Sequence, residues 1–268
     1  MAIDLRDKVL VVTGGGTGIG AETAIAAAQA GMKVCVCGRR QGPLDDTINR
    51  IEQAGGQGIA VELDVTDPMS ESHLLDTAET SLGPVWAVFA NAGRGLHRTA
   101  HETTDAEMQA LFEVNFFATH RLLAEAARRM LAHGQGGHLL ACSSCLSRFA
   151  VPNHAAYAAT KASQDMLCQA MRLELLPHGI HVSSVHPITT RTEFFDVTAE
   201  HSGTDNYRVL DEAPKLFVQS GQRVAKAIVR CLRRPRPEVW TSRTVRLATA
   251  VRNLFPKLFD RKVRQVAR

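Results

Sequence analysis

Tyr157 and Lys161 stand four residues apart, and Ser144 lies thirteen residues before the tyrosine. On a helix, residues i and i+4 share a face, so this spacing sets an ammonium beside a phenol. A cation there stabilises tyrosinate and draws the phenol below its ordinary pKa of about 10. A phenol tuned in this way gives a proton to a carbonyl oxygen, or takes one from an alcohol, near neutral pH. At the end of the first apolar run sits a second cluster, Thr13-Gly14-Gly15-Gly16-Thr17-Gly18-Ile19-Gly20. A glycine-rich turn between a strand and a helix lets the backbone approach a pyrophosphate. The helix N-terminus behind it supplies N–H groups and a partial positive charge.

The elements that must position these residues alternate along the chain. Short apolar runs predict strands over 8–13, 33–37, 58–63, 84–90, 137–143, 180–186 and 238–241. Longer periodic stretches predict helices over 18–30, 43–54, 105–132, 155–176 and 221–233, and Asp67 reads as a helix cap before Pro68. Strands alternating with helices imply right-handed crossovers and a parallel sheet covered on both faces. The expected architecture is α/β: one Rossmann-like, doubly wound domain of about seven strands over 1–242, followed by a basic amphipathic helical extension over 243–268. The irregular stretch 189–220 is long for a connection and reads as a substrate loop.

The end of the second strand bears on the cofactor. A site that prefers NAD places an acid there for the ribose hydroxyls, but this chain has Gly38-Arg39-Arg40. Cations suit a 2′-phosphate and an acid would repel it, so NADP(H) is expected over NAD(H). Of the two, Arg40 is the better candidate for a solvated loop charge. Asp64, after the third strand, either accepts from an adenine amino group or caps the turn at Val65-Thr66.

Taken together, these residues resemble the Tyr-dependent short-chain dehydrogenase/reductase family over about 8–241. Gly14, Thr17, Gly18, Ile19 and Gly20 are similar to its cofactor turn, and Asn91-Ala92-Gly93 to its motif after the fourth strand. Asn115, Ser144, Tyr157 and Lys161 match its catalytic tetrad. The resemblance implies Tyr157 as general acid/base and Lys161 as the group that lowers its pKa and binds the nicotinamide ribose. It implies Ser144 as the donor to the substrate oxygen, and Asn115 as part of a water-linked proton relay. It also implies cofactor contacts from Val65, Pro187, Thr190 and Thr192. Three positions depart from the pattern, the first being Ala90, which stands where the family often has an additional Asn before Asn91-Ala92-Gly93. Ile188 stands where a glycine usually follows the proline, and a β-branched residue there is expected to reshape the wall near the nicotinamide. Thr17 stands where many NADP-dependent members carry a base.

Substrate contacts are expected from Cys145, Leu146, Arg148 and Phe149, and from Phe194 and Phe195 in the long loop. Their bulk favours a hydrophobic ketone, aldehyde or alcohol. His154 and His186 are expected to be packed or turn residues, because Tyr157 already fills the acid/base role. The six cysteines show no repeated metal-ligand spacing, so no metal site is expected and buried thiols are. The N-terminus lacks a signal-like apolar run, and no stretch of 18 apolar residues exists, which points to a cytoplasmic protein.

Charge is unevenly spread. Residues 221–268 hold 14 Lys/Arg against Glu238 and Asp260, a net of +12, while residues 1–220 carry −8. Within 243–268, Val245, Ala248, Val251, Leu254, Phe255, Leu258, Phe259, Val263 and Val266 follow helical spacing, with Pro256 as a break. Such a stripe is expected to pack on the body or on a partner subunit, with an anionic membrane as its second candidate. Nucleic acid is not expected as a partner. The resemblance implies a homodimer or homotetramer formed through the helices at 105–132 and 155–176. A redox enzyme is the favoured class, and a non-catalytic nucleotide sensor or scaffold with the same fold is the alternative.

Overall fold

Nearly unbroken apolar runs build the centre of the molecule. A computed structural model describes residues 2–203, 217–257, 259 and 261. The strands are β1 (Val9–Thr13), β2 (Lys33–Gly38), β3 (Gln57–Glu62), β4 (Val85–Ala90), β5 (Gly137–Cys142), β6 (Ile180–His186), β7 (Thr189–Arg191), β8 (Val218–Ser220) and β9 (Glu238–Trp240). Seven of them form one parallel sheet in the order β3-β2-β1-β4-β5-β6-β9. β1 and β5 are buried at every position, as a sheet covered on both faces requires. Successive residues of β1 serve opposite layers: Val9 and Val11 join one core, Leu10 and Val12 the other.

The helices divide between those layers. α1 (Gly18–Gln29), α2 (Gln41–Gln53) and α8 (Gly221–Arg233) cover one face through Ala24, Leu44, Ile51, Val224 and Ile228. α3 (Ser70–Leu82), α5 (Ala118–His133) and α6 (Ala155–Leu175) cover the other through Leu74, Leu75, Leu123, Cys168 and Met171. Strand order reverses between β1 and β4, so a crevice opens at their carboxyl ends. No helix among the described residues is long and apolar enough to cross a membrane.

Four expectations need correction. The single helix predicted over 105–132 is interrupted. α4 (Asp105–Phe112) starts with a Thr104/Glu107 capping box, a π turn spans Glu113–Phe117, and α5 follows. One extra residue per turn leaves the apolar periodicity almost intact while rotating Asn115 inward. Asp67 does not cap a helix. Its carbonyl accepts from Ser70 N at 3.2 Å, Met69 takes a φ of 63°, and α3 starts at Ser70. An Asp-Pro pair favours this turn.

The stretch expected to be an irregular loop contains β7, α7 (Phe194–Ser202) and β8, with β7 and β8 paired in parallel. Gln219 Nε2 donates to Thr190 Oγ1 at 3.1 Å and to Thr241 Oγ1 at 2.9 Å, tying this small ribbon to the main sheet. Residues 204–216 of the expected loop lie outside the described residues. Finally, the apolar stripe of the tail does not all pack inward. α9 (Arg243–Leu254) buries Val245 and Thr249 and leaves Val251, Leu254 and Phe255 exposed. Leu258, Val263 and Val266 lie outside the described residues.

The interior holds a histidine that bears on stability. His138 on β5 is buried, with Nε2 2.8 Å from Ser183 Oγ and with Trp86 and His181 against its ring. Burial, then the neighbouring His181, pushes its imidazole down to about 3. Burial also lowers His97, His154, His181 and His186. His138 stays neutral in the fold down to about pH 3 and the other four rings protonate less readily than in the unfolded chain, which takes up protons below about pH 6.5. Stability should therefore fall as pH drops from about 6.5 toward 3, by at most about 1.4 kcal/mol per pH unit for each fully depressed ring. Thermal unfolding over this range should show a falling Tm, and His138→Gln should flatten part of the slope. Parallel profiles for parent and variant would show that His138 is not held neutral.

Candidate active site

The crevice at the carboxyl ends of β1 and β4 is a cleft of about 1200 Å³. Its first wall is the turn from Thr13 to Gly18. Gly18 has a φ of 55°, and a Cβ there would lie 2.9 Å from Thr192 Cγ2. A Cβ on Gly20 would lie 2.0 Å from the Gly14 carbonyl oxygen. Only glycine lets the turn lie so close on the start of α1. Thr17 precedes α1 without a side-chain cap bond, so its side chain leaves the first N–H groups of the helix uncapped, as a phosphate site needs.

Two residues brace this turn against β4. Thr13 Oγ1 accepts from Asn91 N at 2.9 Å and from Ala92 N at 3.0 Å. Asn91 Nδ2 donates to the carbonyls of Thr13 and Gly14 at 3.0 and 3.2 Å. The chemistry of the wall therefore fits a dinucleotide: backbone N–H groups, little side-chain bulk and cations beyond β2. Arg39 Nη1 is 4.0 Å from Asp64 Oδ2 and largely exposed. Arg40 Nη2 pairs with Glu193 Oε2 at 2.8 Å, latching the start of α7 to the end of β2. Asp64 Oδ1 accepts from Thr66 N and Oγ1 at 2.9 and 2.8 Å, so Asp64 does cap its turn.

The second wall is built on α6. Tyr157, Lys161 and Asp165 occupy successive turns. Lys161 is buried, donates from Nζ to the Cys142 carbonyl at 2.7 Å, and lies 5.6 Å from the Tyr157 ring centre. Burial lowers its pKa, opposed by Cys142 and Asp165. Ser143 Oγ donates to the Lys161 carbonyl at 3.2 Å. Ser144 Oγ accepts from Leu146 N at 3.1 Å and opens the short 3₁₀ turn Cys145–Ser147. Phe194 approaches Tyr157 at 5.7 Å between ring centres, and Phe195 stands beside Phe194.

Asn115 stands behind the wall, buried in the π turn. Its side chain accepts from Arg94 N at 2.9 Å and donates to Arg94 O and Thr160 Oγ1, both at 3.0 Å. Its main-chain carbonyl accepts from Thr119 Oγ1 at 2.8 Å and Gln164 Nε2 at 2.5 Å. Gly93 separates it from Lys161: a Cβ there would lie 2.9 Å from Asn115 Oδ1 and 3.6 Å from Lys161 Nζ.

The cleft gathers most of the residues read from the sequence. Gly14, Thr17, Gly18, Ile19, Arg39, Arg40, Asp64, Val65 and the Asn91–Gly93 segment line one end. Ser144, Cys145, Leu146, Phe149, Tyr157, Lys161, Pro187, Thr190, Thr192, Phe194 and Phe195 line the other. Gly20 and Asn115 do not reach it. Ile188 lines the cleft without a left-handed backbone, and Thr190 Oγ1 donates to its carbonyl at 2.7 Å.

Arg148 is a correction: it is not a cleft residue. Its guanidinium pairs with Asp165 at 3.0 Å and with Glu238. His186 completes that buried cluster, stacked on Trp240 at 4.3 Å, with Ser184 Oγ 3.0 Å from Nε2. His154 sits before α6, with Nδ1 2.8 Å from the Pro152 carbonyl. All six cysteines are free thiols, and burial pushes Cys145 up to about 11.

Among the lining residues that sequence reasoning missed, four bear most on the site's chemistry. Arg94 follows Asn91-Ala92-Gly93 directly and faces the cleft near Arg39, and burial, then Arg39, lowers its pKa. Adjacency to the motif was the available signal. Val245, Ala248 and Phe259 reach the substrate end from the tail, where Phe259 meets Phe149 at 5.4 Å.

Known proteins resemble this chain in sequence and fold. A family model for short chain dehydrogenase matches residues 8–202. L-xylulose reductase of Mesocricetus auratus is 34% identical over 192 residues, covering 72% of this chain and 75% of that protein. Ketoacyl reductase HetN of Nostoc is 29% identical over 264 residues, covering 96% and 88%. A short chain dehydrogenase/reductase from Burkholderia phymatum, crystallised in complex with NAD, superposes with a TM-score of 0.85 over 96% of each chain at 23% identity. With the family model spanning most of the chain and the sheet, turn and cleft in place, this protein belongs to the short-chain dehydrogenase family of oxidoreductases.

Proposed function

We propose that the protein is an NADP(H)-dependent oxidoreductase that interconverts a ketone or aldehyde with its alcohol, with Tyr157 as general acid and base. The observation that carries this reading is the buried Lys161 ammonium, one helical turn from Tyr157, in the cleft that also holds the glycine turn. A positive charge there favours tyrosinate. In reduction the Tyr157 hydroxyl gives its proton to the carbonyl oxygen as charge develops on it, and in oxidation tyrosinate takes the alcohol proton. Ser144 Oγ accepts from Leu146 N, which leaves its own hydroxyl proton to donate to the same oxygen. Phe149, Phe194 and Phe195 exclude water and favour a hydrophobic substrate. The names of two relatives, a xylulose reductase and a ketoacyl reductase, are consistent with carbonyl reduction.

The residues of the turn, with Asn91–Gly93, would hold the dinucleotide, and Lys161, Pro187, Thr190 and Thr192 its nicotinamide end. When bound, the nicotinamide supplies or accepts the hydride. Arg39 would bind the 2′-phosphate, with Arg94 adding charge and Arg40 committed to Glu193. The proton relay through Asn115 belongs to the same reading. So does assembly as a homodimer or homotetramer, supported by Phe117, Leu131, Met166 and Leu173, which α5, α6 and the turn before them leave exposed.

Tyr157→Phe keeps the ring and removes the proton, so kcat should fall by at least about 10²-fold while NADPH still binds in fluorescence titration. Near-normal turnover would remove Tyr157 from the chemistry. Arg39→Asp replaces attraction with repulsion and should raise KM for NADPH about tenfold or more, with little change for NADH. Equal changes for both cofactors would mean that Arg39 does not contact the phosphate. Light scattering should report a dimer or larger, and Met166→Asp with Leu173→Asp should shift it toward 29.1 kDa. A parent chain that is monomeric at micromolar concentration contradicts the assembly.

A further inference from the structure

α9 has two apolar faces. One faces the body: Val245 and Thr249 are buried, Arg252 Nη1 donates to the Arg148 carbonyl at 3.1 Å, and Val245 and Ala248 line the substrate end of the cleft. The other faces outward. Leu247, Val251, Leu254 and Phe255 fall at i, i+4, i+7 and i+8, with exposures of 67%, 39%, 74% and 60%. Four large apolar side chains on adjoining turns form a patch that marks an interaction site. Arg243, Arg246, Lys257 and Arg261 are exposed around it. Asp260 is the only acid among the 26 residues from Arg243 to Arg268, against eight Lys/Arg.

We propose that the outward face of α9, with Phe255 and the exposed cations around it, seats the protein on an anionic lipid surface, with the substrate end of the cleft beside that surface. The carbonyl or alcohol handled there is then drawn from the lipid, a substrate class that rests on the function proposed above. Charge selects the occupant. An apolar ridge flanked by cations matches the boundary between acidic headgroups and acyl chains. A second copy pairing α9 on α9 would bring Arg243 and Arg246 against their own equivalents, and the acid near Arg246, Glu238, is half-buried and already paired with Arg148. Geometry selects the substrate source. The same helix presents Leu247 and Leu254 outward and Val245 and Ala248 to the cleft, so lipid and substrate site share one wall.

The test uses the full chain with vesicles of phosphatidylcholine, with and without phosphatidylglycerol. The protein should sediment with the anionic vesicles and be released by salt, because exposed attraction is screened within about 10 Å at 0.1 M. Leu254→Asp with Phe255→Asp changes only exposed positions, so Tm should be unchanged while sedimentation is lost. With NADPH and a short water-soluble ketone, the double variant should keep the parent's kcat/KM. With a long-chain ketone carried in anionic vesicles it should lose about tenfold or more. Three results would overturn the proposal: a parent that stays in solution at low salt, a variant as active as the parent on the vesicle-borne ketone, or a variant that loses oligomer mass in light scattering, which would make a second copy the occupant. A parent that binds vesicles but reduces no carbonyl in solution would instead overturn the function, leaving the docking surface in place.

Discussion

A buried ammonium must find acceptors, and most of the active-site architecture follows from how Lys161 finds them. Its Nζ donates to the carbonyl of Cys142, the last residue of β5, and Ser143 Oγ returns a bond to the Lys161 carbonyl. The two bonds fasten α6 to the end of the central sheet. They set the helix's rotation and height, so Tyr157 one turn earlier faces the cleft and Asp165 one turn later faces the interior. Asp165 is in turn paired with Arg148 and accepts from Ser147 Oγ, which anchors the 3₁₀ turn that presents Ser144. An unpaired charge at this depth would cost several kcal/mol or lose its proton, so the arrangement tolerates little slack.

The cofactor end is joined to this framework through Asn115. The π turn rotates its side chain toward Arg94 on one side and Thr160 on the other. Thr160 precedes Lys161, and Arg94 follows the segment that Thr13 and Asn91 stitch to the glycine turn. Hydrogen bonds at both ends of the Asn91–Arg94 segment therefore link the glycine turn to α6. Asn115 performs this work without lining the cleft.

Much of the fold was legible because two-sided burial leaves a plain mark. The central strands β1, β4 and β5 are largely apolar and buried, and glycines or prolines punctuate the chain between elements. The grouping of the candidate site residues was legible for another reason: Tyr157 and Lys161 are local on one helix, and the glycine turn is local in sequence. What escaped reading was non-local or periodicity-neutral. A π turn adds one residue and hardly disturbs the apolar pattern around Asn115. Arg148 looked like a cleft residue by position, but Asp165 and Glu238, brought from distant elements, hold it away. The tail showed one apolar stripe, and only the body's shape decides that Val245 turns inward while Leu254 turns out. Arg94 adjoins a motif plain in the sequence, but its approach to Arg39, far away in sequence, exists only in the fold.

The central claim is that Lys161 makes the Tyr157 phenol acidic. The chain holds only two tyrosines, Tyr157 and Tyr207, so tyrosinate absorbance during a pH titration can be resolved into its two components. The account predicts one phenol that ionises well below about 10, that vanishes in Tyr157→Phe and that moves upward in Lys161→Met. Two phenols titrating together near about 10 in the parent, unmoved by the loss of Lys161, would contradict it.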